Sequence, residues 1–340
     1  MIKYLNRIIF IYNKMPKTSE EVKIDLKDRK ILFELDLDSR QSLSKISKKV
    51  NLPKNVVAYR IQRMQKIGLI QNFYTVIDAS KLDYISFRIY LTFQNTTPKI
   101  EKEITDYFIE NKLTYWMGSI EGKYDLGFTM WVKDINYFYE FWETTLKKFR
   151  KYFQEQVFSV YYQLYHYRYS YLLEKATRES RAEITGGGKL VSIDKTDFEI
   201  LKVIAPNARI PITEIAKQLN LTPMIVKYRI KKLINLRVIQ GFRTNINFSL
   251  LGYQHFKADI AIEKYKEIDK LLNFIKINPN LIYIDKSVGY ADLEAEFHFK
   301  SLKEFHAAMD ELKTRFPGTI KNYKHFIYSK ILKMHYLPED

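Results

Sequence analysis

The chain has 340 residues, enough for roughly two to four ordinary domains, and its 46% hydrophobic and 28% charged content reads as soluble and globular. With 56 Lys and Arg against 39 Asp and Glu, the formal charge of +17 favours a polyanionic partner, nucleic acid before an anionic membrane. There is no cysteine, which excludes disulfides, cysteine zinc sites and thiol nucleophiles and fits a reducing cytoplasm.

In chain order, the first segment is an N-terminal extension, 1–23. Its apolar run, Ile8 to Tyr12, is too short to span a bilayer and has no small-residue cleavage site, so no membrane anchor is expected. Met15, just before polar PKTSEE, is a candidate natural start; the alternative is an N-terminal helix that packs on the body.

Asp25 is placed to cap a helix over Leu26 to Leu37, with Ile31, Leu32 and Leu35 at helical spacing. A short helix follows at 42–50, with Leu43, Ile46 and Val50 inward. Asn51 and Pro53 mark a turn into a third helix, about 53–66, with Val57, Ile61 and Met64 on one stripe. Three short helices with a tight turn before the third describe a helix-turn-helix, and GLIQNFYTVID after them reads as a β wing.

The next part alternates with period two. ISFRIYLTFQ, 85–94, puts Ile85, Phe87, Ile89, Leu91 and Phe93 on one face. A helix over 98–112, strands over 113–119 and 126–132 about the EGKYD turn, a second helix, and a long strand near 155–168 follow. The order βαββαβ predicts a ferredoxin-like sandwich. The long strand, VFSVYYQLYHYRY, is aromatic on both faces, so its second face wants another sheet, and the rest of the same chain is the expected source.

That expectation rests on a repeat. Displaced by 169 residues, IDLKDRKIL (24–32) falls on IDKTDFEIL (193–201), and YRI at 59–61 falls on YRI at 228–230. From Ile24 to Phe73 the match needs no gap, and 17 of 50 positions are identical. With two residues lost, GKYDL (122–126) then meets GYADL (289–293). Unit two repeats the strand and helix order at 254–263, 266–277, 280–288, 292–299, 301–315 and 319–333. The fold class is α+β: two tandem units, each a winged helix-turn-helix followed by a ferredoxin-like βαββαβ domain. The predicted division is 24–78 and 79–170 for unit one, a linker at 171–192, and 193–247 and 248–335 for unit two. The linker reads as flexible or partly helical; its GGGK lacks the spacing of a phosphate loop.

The charge then finds a place. Ser39 to Ile77 has no Asp or Glu and eight Lys or Arg; Ile215 to Ala258 has no acid and again eight. Such windows supply the phosphate attraction of a DNA-binding face. Base reading falls to the N-terminal part of the third helix. The candidate DNA-binding residues of unit one are Lys54, Asn55, Ala58, Tyr59, Arg60, Gln62 and Arg63, Asn and Gln being suited to adenine edges. Those of unit two are Met224, Ile225, Lys227, Tyr228, Arg229 and Lys231, with fewer polar base readers. Arg60 and Arg229 have an alternative use, an ion pair to the first helix through Asp28 or Asp197. The two tyrosines have one too, as half-buried packing.

In this order, and twice, these motifs resemble the Lrp/AsnC family of feast/famine transcriptional regulators. The residues that carry the likeness are IDLKDRKIL, LPKNVVAYRIQRMQKIGLI and GKYDLGF in unit one, and IDKTDFEIL, LTPMIVKYRIKKLINLRVIQGF and GYADLEAEF in unit two. The resemblance implies double-stranded DNA as partner, sheet-to-sheet pairing of the two βαββαβ domains as an intrachain pseudo-dimer, and further homo-oligomer assembly. It also implies an amino-acid-like effector near the turn between the second and third strands. That points to Gly118, Gly122 and Asp125, and to Gly289 and Asp292; the structural alternative gives the glycines to the turn and the acids to its hydrogen bonding. Two departures stand out: most such regulators have one unit per chain, and Arg237 stands where unit one has Gly68, so the second recognition helix is expected to end differently.

The same chain order resembles the sirohaem decarboxylases, which pair two such units and would need histidine and cationic groups near that turn. The matching stretches, SIEGKYDL and DKSVGYADL, have no histidine, and none of the six histidines makes an i,i+4 metal-ligand pair on one helix. The expectation is therefore a cytoplasmic, sequence-specific DNA-binding regulator, not an enzyme, without catalytic residues, cofactor or metal. The alternatives are the decarboxylase-like enzyme and an architectural DNA-binding protein with no effector.

Overall fold

The computed structural model describes residues 21–173 and 182–338. The readings of Ile8–Tyr12 and Met15 lie outside the described residues, as do residues 174–181 of the linker.

Unit one opens with α1 (Leu26–Leu37), α2 (Leu43–Val50) and α3 (Lys54–Lys66). Asp25 caps α1 in a capping box: its side chain accepts the Asp28 N–H, and Asp28 accepts the Asp25 N–H in return. Ser42 caps α2, and Asn51 ends it in a left-handed conformation, φ 52°, which an asparagine tolerates. This is the tight turn that the Asn-Leu-Pro triplet predicted. Ile31, Leu32, Leu35, Ile46, Val50, Val57, Ile61 and Met64 form one core. Unit two repeats it with α6 (Lys195–Ile204), α7 (Ile212–Gln218) and α8 (Pro223–Asn235), the capping box now Asp194 with Asp197 and the left-handed turn now Asn220.

The helix ends answer the Arg237 question against expectation. Gly68 has φ 76° and Arg237 has φ 60°, and the following amides return to matching carbonyls, Leu69 to Met64 and Val238 to Leu233. The two helices end alike, and Arg237 adopts a backbone that glycine adopts without strain.

The wings hold a second difference. β1 (Ile70–Ile77) and β7 (Ile239–Ile246) pair with each other, antiparallel, with Thr75 opposite Phe242. The two heads are thus joined by a shared ladder. It is extended by Asp78 N–H donating to Val238 O and Asn247 N–H donating to Leu69 O, both at 2.8 Å.

The ferredoxin-like parts follow as β2 (Ile85–Phe93), α4 (Pro98–Glu110), β3 (Thr114–Glu121), β4 (Leu126–Val132), α5 (Ile135–Phe149) and β5 (Phe153–His166). In unit two they are β8 (Gln254–Ile262), α9 (Ile268–Ile275), β9 (Leu281–Val288), β10 (Leu293–Phe299), α10 (Leu302–Arg315) and β11 (Ile320–Met334). The strand order is β2-β4-β3-β11-β8-β10-β9-β5-β6, where β6 is Glu183–Thr185, and β2 also pairs with β5, so the first eight close into a ring. The long strands make the closure. β5 pairs with β2 through its first half and with β9 of unit two through its second; β11 pairs with β8 and then with β3 of unit one. The expected second sheet is therefore the duplicate unit, joined edge to edge as well as facing.

The helices cover the outside of the ring. Phe87, Ile89 and Leu91 pack with Ile104, Phe108 and Trp142 in unit one, and Phe256, Ala258 and Ile260 with Leu271, Phe305 and Met309 in unit two. Alternate residues face inward, among them Tyr90, Tyr124, Phe326 and Tyr328.

The linker reading needs a correction. Glu183–Thr185 forms β6, which pairs with Leu164 to His166 of β5. β5 runs past the end of β2, and the edge left there takes the linker as an added strand.

Candidate nucleic-acid interface

Each recognition helix is locked to the first helix of its head by the same side chains. Asp28, 1% exposed, accepts Arg60 Nη1 at 2.9 Å and Arg63 Nη2 at 2.5 Å, while Asp25 accepts Arg60 Nη1 at 2.8 Å. In unit two Asp197 accepts Arg229 Nη1 at 2.9 Å and Lys232 Nζ at 2.6 Å, and Asp194 accepts Arg229 at 2.7 Å. The hydrogen bond from Arg229 and the Asp197 N–H hold the Asp194 carboxyl below its usual range, and Arg229 is raised by the same contacts. The guanidinium groups of Arg60, Arg63 and Arg229 are thus held by the first helix, the alternative use expected of Arg60 and Arg229.

What remains exposed is the expected face. On α3 it holds Lys54, Asn55, Tyr59 and Gln62, with Ala58 half-buried beside them. On α8 it holds Met224, Ile225, Lys227, Tyr228 and Lys231. Tyr59 is 66% and Tyr228 69% exposed, so neither is packing. Lys45 and Lys48 on α2, and Lys217 on α7, are exposed too, and only the acid-free windows pointed to them. Those windows also took in cations that belong elsewhere. Arg243 and Lys257 are fully buried in ion pairs, and Arg40 reaches across to donate from Nη1 to Ala208 O at 2.5 Å.

The residues of the two turns do structural tasks. Gly122 and Gly289 have φ 129° and 95°. Each turn rests on the long strand of the other unit: a Cβ on Gly122 would meet Phe326 at 3.2 Å, and one on Gly289 the Phe158 carbonyl at 3.2 Å. Asp125 accepts the Phe93 N–H at 2.6 Å, and Asp292 accepts the Ile262 N–H at 2.8 Å. Gly118 lets β3 approach β11, where a Cβ would stand 3.2 Å from the Lys330 carbonyl.

The sequence reading missed the interior of the ring. Arg88 donates to Asp285 at 3.1 Å and Glu294 at 2.7 Å, and Lys257 to Glu296 at 2.9 Å and to Asp285. Burial alone would raise Glu294, but Arg88 and then Lys257 bring it down to about 2. Burial pushes Asp285 up to about 7 against the pull of Lys257. Arg88 and Lys257 are repeat equivalents, whereas Asp285, Glu294 and Glu296 stand where unit one has Gly118, Gly127 and Thr129. All the interior acids on those strands come from one copy.

Comparison with known proteins decides the family. The winged helix-turn-helix DNA-binding family matches residues 24–71 and 193–240. An HTH-type transcriptional regulator of Pyrococcus furiosus, PF0054, is 35% identical over 121 residues, 34% of this chain and 77% of that one. The chain belongs to the Lrp/AsnC family of transcriptional regulators. HTH-type transcriptional regulator LrpA of Pyrococcus horikoshii is 41% identical over 86 residues, 24% of this chain and 61% of LrpA. Among solved structures, the siroheme decarboxylase NirDL superposes with a TM-score of 0.62 over 92% of this chain and 94% of its own, at 12% identity. That likeness is one of fold: two units fused and closed on each other. Among the described residues, no helix of this Lrp/AsnC-family chain is long and apolar enough to cross a membrane, and no cluster of His, Asp and Glu suits a metal ion.

Proposed function

We propose that this chain is a cytoplasmic, sequence-specific regulator that grips double-stranded DNA with both heads. The observation that carries the reading is the pair of recognition helices, docked by the same aspartate–arginine lock, each presenting an exposed face free of acids. Lys54, Asn55, Ala58, Tyr59 and Gln62 would meet one half-site, Asn55 and Gln62 at base edges. Met224, Lys227, Tyr228 and Lys231 would meet the other, gripping phosphate more than reading sequence. The division at 24–78, 79–170, 193–247 and 248–335 goes with this reading, as does an amino-acid-like effector at the turns of Gly118 to Asp125 and Val288 to Asp292. Assembly of two chains would give four heads. The decarboxylase reading has the fold of NirDL in its favour and lacks histidine at the turns.

The test is binding to labelled DNA from the protein's own promoter region against random DNA, over a salt series. Promoter preference of a hundredfold or more with a steep salt slope is expected. Salt-sensitive binding without preference would leave an architectural protein, and no binding at low salt would sink both.

A further inference from the structure

A cavity of about 380 Å³ lies between the shared wings and the ring, within the size range of small-molecule sites. Residues Tyr74 to Ser80 of β1 and the turn after it form one side, and Tyr115, Trp131, Tyr161, Tyr283 and Tyr328 of the ring form another. The linker completes the wall with Gly186 and Gly187, and Gly186 N–H donates to Asp78 at 2.9 Å.

The duplication supplies an internal control. At the place related by the repeat, Arg243 donates from Nε to Asp36 at 2.8 Å, its guanidinium lies 4.6 Å from the Tyr169 ring centroid, and Arg168 pairs with Glu183. Those side chains are buried and fill the space. On the cavity side the equivalents of Arg243, Asp36, Arg168 and Tyr169 are Tyr74, Ala205, His335 and Tyr336. An ion-paired plug in one copy has become an aromatic chamber in the other.

The lining selects by charge. Among the described residues no lysine or arginine lines the chamber, although the chain carries +17, whereas Asp78, Asp285 and Glu296 do, the last two ion-paired from behind by Arg88 and Lys257. Asp285 Oδ1 and His166 Nδ1 are buried without a hydrogen-bond partner among the described residues. Burial, then the charges of Arg243 and Arg168, pushes His166 down to about 3, so its ring is neutral. Flat aromatic walls, acidic acceptors and a neutral imidazole suit a planar ring with N–H donors and repel an anion.

We propose that this chamber binds one flat nitrogenous aromatic molecule per chain, neutral or cationic, held between the aromatic walls and donating N–H bonds to Asp285 and His166. The site is distinct from the turns assigned to an amino-acid-like effector and stands independently of the DNA reading. Benzamidinium and benzoate make a matched pair of probes, alike in shape and opposite in charge. Trp116 and Trp131, two of the three tryptophans, line the chamber and report binding by fluorescence. Titrated into the full chain, benzamidinium is expected to bind about tenfold or more tighter than benzoate. Restoring the plug with Tyr74→Arg and Ala205→Asp together, or filling the wall with Ser86→Phe, should abolish the response. The melting midpoint of each variant shows that it is folded. Equal binding of the two probes, binding of neither, or undiminished binding in a folded variant would overturn the proposal, as would tighter binding of the anionic tetrapyrrole uroporphyrin.

Discussion

At the scale of single residues, Asp28 and Tyr59 have opposite jobs on one head. Asp28 is buried and serves the α1 cap, Arg60 and Arg63 at once. Asp28→Ala removes the Arg63 partner, one of the two Arg60 partners and half of the capping box, so urea denaturation should show a loss of about 2 kcal/mol. Tyr59→Ala, at an exposed position, should stay within about 0.5 kcal/mol in the same assay yet weaken binding to promoter DNA. The aspartate–arginine lock was legible because both partners recur at the repeat offset. The charged ring interior was not: Arg88 sits between apolar Phe87 and Ile89, and its carboxylates lie roughly two hundred positions away, on strands whose unit-one equivalents are glycines and a threonine. His298 was equally hidden. It is buried against Phe248, Tyr169, Tyr171 and His255, with Glu296 and Arg243 as the charges acting on it. Burial, then His255, pushes its pKa well below the usual 6.5. The unfolded chain therefore takes up this proton first, and the histidine costs stability as pH falls below 6.5. Relative to His298→Gln, wild type should lose about 1.4 kcal/mol per pH unit below that point, checked by denaturation at pH 7.5, 6 and 5.

At the scale of elements, periodicity and caps gave most boundaries within two residues. α1 begins after Asp25 as predicted, and both recognition helices carry the expected buried stripe. What local signals left out was pairing. Nothing in IQNFYTVI says that it will ladder with IQGFRTNI, because alternation fixes which face is apolar and not which strand lies alongside. The same holds for β6, three residues drawn into order by an open edge of β5. The Arg237 turn shows a local signal misread in the other direction: the backbone repeats the Gly68 turn despite the change of residue. A left-handed arginine carries strain that glycine lacks. Arg237→Gly should accordingly raise stability by about 1 kcal/mol, and Gly68→Ala, whose Cβ meets nothing within 4 Å, should lower it by a similar amount. Denaturant midpoints at unchanged m-value would carry both results.

At the scale of the whole molecule, the duplication has been used unevenly. The heads have kept the same lock and the same turn, while the ring interior and the space beneath the wings have diverged, one copy charged and filled, the other aromatic and open. Such asymmetry is available to a fused pair and not to a dimer of identical chains, in which every change appears twice. The shared β1–β7 ladder joins the two heads, so their arrangement is set within one chain. If both heads contact phosphate, each lysine removed from either helix should lower the salt dependence by about 0.9 in log–log slope. Lys227→Ala with Lys231→Ala should then reduce the slope by about 1.8, even though the predicted adenine readers, Asn55 and Gln62, lie on the other helix. Replacing Asn55 and Gln62 by alanine should leave the slope nearly unchanged and erode the preference for promoter over random DNA. An unchanged slope in the double lysine variant would mean that unit two is a scaffold and that one head does the binding. The two pairs of substitutions, measured over one salt series, therefore separate grip from reading and assign each to its copy.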